Sequence, residues 1–410
     1  MLQYIIRRLL LAIPTFFGAT FVVFFLIQYA PGGPYEAQLN ALKRGQGAEG
    51  AASAFSSESG NIPPSQLEAL KRNYNVGEPI VLRYLMWLGI APNSVNDYLV
   101  EIGVNESVGG GQRIVVRKDA GGTFKPFDPS SGQERDDWYI DPSEKPNHVW
   151  VYQRAVSGIL TFDFGKSEQY QKPVWDLITG RIPVSLQFGI IAFTLTYIVC
   201  FYLGTQKALN HGSKFDVISS SIVFVAYSVP GWALGAALVV LLGGGSALAV
   251  FPSGGFQSPD YESLSLLERI ADRIWYFVLP TLAYTLGGFA TTTLLMKNSL
   301  LETMSQDFVR TAYAKGIREN RVVWLHAMRN SIIPLVASIG GIIGLFLAGN
   351  YLVEHAFNID GIGKLSYEAL LARDYNVVNA FTVLTTLISL FGSIISDFML
   401  AVVDPRIRFS

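Results

Sequence analysis

Gly165-Lys166-Ser167 matches the end of a phosphate-binding P-loop. In that loop, backbone amides of a glycine-rich turn cradle phosphates and the lysine reaches the terminal ones. The pattern also requires a glycine five positions before Gly165, and that position is Leu160. Nucleotide chemistry is therefore excluded at this fragment. No His-Glu-x-x-His spacing supplies a zinc helix, and no Gly-x-Ser-x-Gly turn supplies a nucleophilic serine. The histidines His148, His211, His326 and His355 are scattered through loops and read as ordinary loop residues. The single cysteine, Cys200, can form no internal bridge. The chain is expected to be no enzyme, with no catalytic residue, no cofactor and no metal.

The elements that would position any site are apolar. Of 410 residues, 50% are hydrophobic and 15% charged, with a net charge of −1. Soluble chains carry about 25% charged residues. Low hydrophobicity, the mark of disorder, is missing, and near-zero net charge removes the basic footprint of a nucleic-acid binder. The charges vanish in blocks: none lies within Leu9–Tyr35, Ile182–Gln206, Val217–Pro259, Ile274–Met296, Asn330–Val353 or Tyr375–Ser396. A membrane-spanning helix needs about 20 mostly apolar residues, so these windows predict roughly six spans. They are placed near Leu9–Tyr29, Val184–Thr205, Val217–Leu242, Trp275–Met296, Ile332–Leu352 and Ala380–Val403. The first exceeds the apolar core of a signal peptide, and Pro31 sits where small cleavage-site residues belong, so it is expected to stay as an anchor. Gly231 with Gly235, and Gly340 with Gly344, have the spacing that lets helices approach closely.

Lysines and arginines in short loops mark the cytoplasmic side. Arg7 and Arg8 precede the first span, Lys207 and Lys214 follow the second, and Arg406 and Arg408 lie in the tail. After the fourth come Lys297, Arg310, Lys315, Arg318, Arg321 and Arg329; the opposite loops hold Arg269 with Arg273 and Lys364 with Arg373. Both termini are therefore expected in the cytoplasm, as an even number of spans requires. Ion-coupled transporters carry ionisable groups deep in their spans. Here the first such group is Asp397 in the last span, so conformational energy is expected from another subunit.

The fold class that follows is an all-α polytopic membrane protein with a small α+β extracytoplasmic insert between its first and second spans. The domains are an N-terminal helix over 1–30, the insert over 31–181, and a helical core over 182–410 that includes a cytoplasmic loop over 297–331. In the insert, Asn40–Gly60 reads as a flexible linker. Ser65 and Glu68 have capping-box spacing ahead of a helix to about Tyr74. Ile80–Leu88 is amphipathic, with Tyr84 and Trp87 suited to a membrane interface. Strands are expected at Ile114–Val116, Phe124, Trp138–Ile140 and Val149–Tyr152, with a hairpin turn at Asp119-Ala120-Gly121-Gly122.

The loop after the fourth span is the most informative. Gln306-Asp307-Phe308-Val309-Arg310-Thr311-Ala312-Tyr313-Ala314-Lys315-Gly316 predicts a helix and a glycine break. Arg321-Val322-Val323-Trp324-Leu325-His326-Ala327-Met328-Arg329 predicts a short amphipathic helix, and Pro334 the return to the membrane. By its residues alone this is either a docking element or a solvated basic loop. It resembles the ATPase-coupling loop of ABC importer permeases, in the oligopeptide/dipeptide/nickel branch. Arg310, Thr311 and Ala312 stand where the general pattern has Glu-Ala-Ala, and Gly316 is its glycine; Arg-Thr-Ala with Ala-Lys-Gly is the peptide-branch variant.

Other stretches carry the same resemblance. They include Ala30-Pro31-Gly32-Gly33-Pro34, Phe162-Asp163-Phe164-Gly165-Lys166-Ser167, Ser228-Val229-Pro230-Gly231 and Phe251-Pro252-Ser253-Gly254-Gly255. Val353-Glu354-His355-Ala356-Phe357 with Gly361-Ile362-Gly363, and Asp404-Pro405-Arg406-Ile407-Arg408, complete the series. The long stretch between Arg83-Tyr84-Leu85-Met86-Trp87-Leu88-Gly89 and Phe162 resembles the microcin C/YejB-like subgroup.

The resemblance implies a permease subunit of an ATP-driven importer in the bacterial inner membrane, moving peptides or peptide-like solutes across the lipid bilayer. The implied partners are a second homologous permease, two cytoplasmic ATPase subunits and an extracytoplasmic solute-binding protein, with no nucleic acid. The implied coupling residues are Arg310, Thr311, Ala312, Gly316, Arg318, Arg321, Arg329 and Pro334. No line of charges marks a ligand, so dipeptide, oligopeptide, microcin C-like peptide and nickel stay open. The alternative is a membrane-anchored sensor with an extracytoplasmic lobe, which predicts no substrate flux.

Overall fold

The structure, a computed structural model, describes residues 2–43, 62–109, 111–119, 122–245, 248–341 and 349–403. Most of the 40–60 linker, the centre of the Asp119–Gly122 turn, Gly344 with its neighbours and the tail from Asp404 lie outside the described residues. Contacts divide the chain into two compact units. One comprises Met1–Thr20, Asp176–Leu371 and Phe381–Ser410; the other comprises Phe21–Trp175 and Ala372–Ala380.

Among the described residues, the first nine α-helices in chain order are α1 (Leu2–Tyr29), α2 (Pro34–Lys43), α3 (Pro64–Asn73), α4 (Ile80–Leu88), α5 (Val174–Leu209), α6 (Lys214–Ser228), α7 (Gly231–Leu242), α8 (Leu266–Met304) and α9 (Asp307–Ala314). Short helical pieces follow, and the last helix is Tyr375–Val403. Among the described residues, 4 helices are long and apolar enough to cross a membrane, or up to 6 spans if each bent pair counts as one. The third expected span is not straight, because α6 and α7 meet at 93°. Pro230 is the cause. It offers no N–H, and its ring drives the preceding residue out of the helical region, so Val229 is extended (φ −95°, ψ 121°). The fourth span, α8, is 39 residues long and bends by 56° between Leu266–Leu286 and Gly288–Met304. Glu268 fixes its start by accepting from the Ser265 N–H at 2.9 Å.

The helical unit packs around Phe188, which stacks on Phe277 with ring centroids 4.1 Å apart. Leu279, Val353, Phe357 and Ile359 close that core. Gly231 and Gly235 do permit close approach: a Cβ at Gly231 would lie 2.6 Å from the Ala283 carbonyl oxygen, and one at Gly235 2.8 Å from the Phe357 ring. Asp397 is not a lone charge, since Arg8 Nε lies 3.0 Å from it.

Lys207 and Lys297, read from sequence as side markers, point inward and converge on buried Asp216. The Lys297 ammonium donates to both Asp216 oxygens at 2.7 and 2.8 Å, and the Lys207 side chain is 0% exposed. Glu354 is also buried, in a helix Tyr351–Ala356. Its carboxylate accepts from Ser185 Oγ at 2.9 Å, Tyr284 Oη at 2.8 Å and the Lys364 N–H at 2.8 Å.

The other unit contains a small α+β lobe. One antiparallel sheet has the order β1-β6-β5, from Asn93–Glu101, His148–Ala155 and Tyr139–Pro142. The second runs β2-β3-β4, from Asn105–Ser107, Arg113–Lys118 and Phe124–Phe127. Val100, Val108, Ile114, Val116, Trp138, Val149 and Val151 form its core. The expected strands are present; β1 and β2 are additional. The capping role of Ser65 and Glu68 differs from expectation. Pro63 caps α3, with no side-chain cap, and Glu68 instead accepts from Ser143 Oγ at 2.9 Å. Pro64 at the first helical position starts the helix before Ser65 can cap it. Tyr84 is 5% exposed and packs edge-on against Phe21, while Trp87 packs on Phe24, so both rest on α1.

Candidate functional site

The loop after α8 combines a buried apolar base with exposed residues. On α9 the apolar residues Val309 and Ala312 point inward, 0% and 6% exposed. A C-terminal lock stops the helix. The Gly316 N–H donates to the Tyr313 carbonyl at 2.9 Å and the Ile317 N–H to the Ala312 carbonyl at 3.4 Å. This is the two-bond Schellman pattern, and it places Gly316 at φ +73°. No atom lies within 4 Å of a Cβ built there, so the demand for glycine is conformational and not steric.

A helical stretch resumes at Glu319–Arg321 and widens to a π-helical turn over Val322–Ala327, then continues as Met328–Ser331. The wide turn puts Val322, Val323, Ala327 and Met328 inside. They join Val309, Ala312, Met296, Leu300, Ala208 and Leu335 in one cluster, which ties the loop to the ends of α5 and α8. Ser299 adds a polar tie, its hydroxyl donating to the Ser331 carbonyl at 2.8 Å.

The residues singled out from sequence divide accordingly. Ala312 belongs to the base. Arg310, Thr311, Gly316, Arg318, Arg321, Arg329 and Pro334 are exposed. Arg310 lies 3.8 Å from Asp307, but both side chains are open to solvent, so that pair contributes little stability and leaves the guanidinium presented. Reading the sequence missed the exposed apolar residues of the same loop. Phe308, Tyr313, Trp324 and Leu325 are 43%, 38%, 46% and 59% exposed. Their signal was available as bulky residues adjoining the basic ones, but the outward direction of Trp324 and Leu325 follows from the π turn.

Exposed aromatic and aliphatic groups among guanidinium groups suit protein docking, not catalysis. Among the described residues no group of three or more His, Cys, Asp or Glu side chains could hold a metal ion. The fragment Gly165-Lys166-Ser167 also has a non-nucleotide role. Ser167 Oγ donates to the buried Asp374 carboxylate at 2.5 Å, and the Lys166 carbonyl accepts from Asn376 Nδ2 at 2.8 Å.

Residues 175–409 match the family described as binding-protein-dependent transport system inner membrane component. The chain is 33% identical, over 99% of its length and 98% of the relative's, to the inner membrane ABC transporter permease protein YejB of Escherichia coli O157:H7. It is 32% identical, over 99% and 98%, to the peptidoglycan transport system permease protein YejB of Agrobacterium fabrum. It is 27% identical, over 100% of both chains, to the oligopeptide transport system permease protein AppB of Bacillus subtilis.

Proposed function

The chain belongs to the family of binding-protein-dependent transport system inner membrane components, and from that premise we propose that its loop over 307–331 is where ATPase subunits drive peptide import. It is a multi-pass permease subunit, not an enzyme and not a sensor. The names of the oligopeptide and dipeptide relatives support a peptide or peptide-like solute as cargo. ATPase subunits and a substrate-binding protein are its partners as a member of this family. In the reading proposed here the ATPases are two, a second homologous permease completes the pathway, both termini are cytoplasmic, and residues 31–181 face outward.

One observation carries the coupling role: exposed basic and bulky apolar residues mounted on a buried apolar base. Arg310, Arg318, Arg321 and Arg329 supply charge, and Phe308, Tyr313, Trp324 and Leu325 supply area. Force applied to those residues passes through Val309, Val322 and Met328 to Met296 and Leu300 on α8. Buried contacts of this kind transmit displacement because cores are close-packed.

The test is co-reconstitution with the second permease, the ATPases and the binding protein in proteoliposomes. Wild type is expected to take up a labelled tripeptide only with ATP. Gly316→Val forces a β-branched residue into a left-handed conformation. It is expected to lower uptake at least about tenfold, a loss of about 1.4 kcal/mol in coupling, with insertion intact. Leu325→Asp is expected to act in the same direction without touching the base. Full ATP-driven uptake in both variants would show that the loop is not the coupling element.

A further inference from the structure

Among the described residues, only Asp216 and Val223 of the 15 in α6 are buried, and none from this helix joins the apolar cluster beneath the loop after α8. The far end of α6 meets α7 at 93° behind Pro230, where Gly231 and Gly235 let α7 sit close against Ala283 and Phe357. At the near end the one buried side chain is Asp216. That end is held by charge.

Asp216 takes lysines from two other helices. Lys297 of α8 donates to both carboxylate oxygens, and Lys207 Nζ of α5 lies 3.6 Å from Oδ1. Lys207 also donates to Ser220 Oγ at 2.6 Å, Ser219 Oγ at 3.1 Å and the Asp216 carbonyl at 3.4 Å, all on α6. His211, in the turn between α5 and α6, adds a contact at 3.2 Å and is largely exposed. Moving the first turn of α6 away would strip buried charges of their partners, which proteins tolerate poorly.

The same two lysines adjoin the base of the loop. Ala208 follows Lys207 and Met296 precedes Lys297, and both belong to the cluster that seats Val309, Ala312, Val322 and Met328. One step along a helix turns the side chain by about 100°. Thus α5 and α8 each present one residue to the loop and its neighbour to Asp216. These two helices also touch closely at this level: a Cβ at Gly204 would lie 2.7 Å from Met296 Cβ and 2.8 Å from the Thr293 carbonyl oxygen. Packing that tight leaves the pair little room to slide, so displacement of one carries the other.

We propose that Asp216 is a positioning residue for import: through Lys297 and Lys207 it makes α6 move with α8 and α5 when the loop over 307–331 is driven. Without it α6 stays joined to α7 at Val229-Pro230, but its first turn is released. The proposal rests on the coupling reading of that loop and extends it to a helix outside the loop's apolar base.

The test uses the complete complex in proteoliposomes and reads labelled tripeptide imported per ATP hydrolysed. That ratio separates lost transmission from lost protein, since fewer folded complexes lower both rates together. Asp216→Asn is expected to lower the ratio at least about fivefold, the lower end of coupling between sites. Lys297→Arg keeps the charge and is expected to preserve it. Lys207→Gln leaves Asp216 its Lys297 partner, so the fold survives, and a smaller fall in the same direction is expected. Spin labels at Ile222 on α6 and Thr291 on α8, both exposed, give a second measurement that needs no change at the cluster. Their distance, read by pulsed electron resonance with and without trapped ATP, is expected to be the same in both states and to differ between them in Lys207→Gln. A wild-type ratio in either Asp216→Asn or Lys207→Gln, once assembled, overturns the proposal. So does a wild-type distance that differs between the two states. If Gly316→Val and Leu325→Asp import at full rate, the coupling reading falls and this proposal with it. If those two fail while the Asp216 and Lys207 variants keep the wild-type ratio, only this proposal falls.

Discussion

Asp216 and Glu354 are buried carboxylates in the same helical unit, yet their surroundings answer them with different chemistry. Asp216, 4% exposed, faces cations: Lys297 at 2.7 Å and Lys207 at 3.6 Å. It also sits in the first turn of α6, where the helix N-terminus favours negative charge, and accepts from the Gly212 N–H at 3.2 Å. Glu354, 0% exposed, faces no cation at hydrogen-bond distance among the described residues; hydroxyls of Ser185 and Tyr284 and the Lys364 N–H answer it. The Asp216 cluster joins α5, α6 and α8. Around Glu354 the same oxygens join α5 and α8 to the Tyr351–Ala356 turn through Ser185 and Tyr284. One node depends on charge pairing and the other on donor geometry.

The difference can be broken in order of effect. Lys297→Met leaves Asp216 with a weaker, longer cation contact, and removing one partner of a buried ion pair costs about 3–5 kcal/mol. A large fall in the melting temperature of the purified complex is expected, with poor recovery. Glu354→Leu orphans the Ser185 and Tyr284 hydroxyls and an N–H, and is expected to cost about 2–3 kcal/mol by the same measurement, less than the ion-pair variant because hydroxyls can turn to other acceptors. Tyr284→Phe removes one donor to Glu354 and the acceptor for the Asn350 N–H, and about 1–2 kcal/mol is expected. A Lys297→Met protein as stable as Tyr284→Phe would erase the distinction between the nodes. Arg8→Gln is expected to cost about 1 kcal/mol or less in unfolding assays, since Arg8 is half exposed.

A pH series sharpens the same comparison. Burial pushes the Glu354 carboxyl above its ordinary range, outweighing the Lys364 N–H and the hydroxyl donors that favour its ionised form. The folded state therefore holds this proton more tightly than the unfolded state does. Its contribution to stability is full below the ordinary carboxylate range and is lost as pH rises through the raised folded value. Melting temperatures recorded from acid to neutral pH should show this decline in wild type and a flatter profile in Glu354→Gln. An identical slope in the variant would remove Glu354 from the account.

The spans were legible because a missing charge over some 20 residues has few other meanings. Strands β3 and β6 were legible through Ile114-Val115-Val116 and Val149-Trp150-Val151, residues that fit a pleated surface. Strand β1 was not, because Asn93, Asn96 and Asp97 are poor strand formers; pairing with β6 holds it, across an irregularity between Val95 and Tyr98. In the candidate coupling loop, Gly316 and the arginines were visible as residue types at a spacing. The outward turn of Trp324 and Leu325 was hidden, because a π turn shifts the phase that a helical pattern assumes.

Sequence alone determined the solvent in which this chain folds, its short apolar segments, and the loop where charge collects. Those properties add along the chain and need no partner to be read. Tertiary structure decided which charges serve the surface and which serve the interior. Lys297 and Arg310 look alike in a loop count, yet one turns in to buried Asp216 and the other is open to solvent. It also decided that Asn379 and Arg83, far apart in the sequence, line one cavity. Pairing depends on distance in space, and only packing sets that distance.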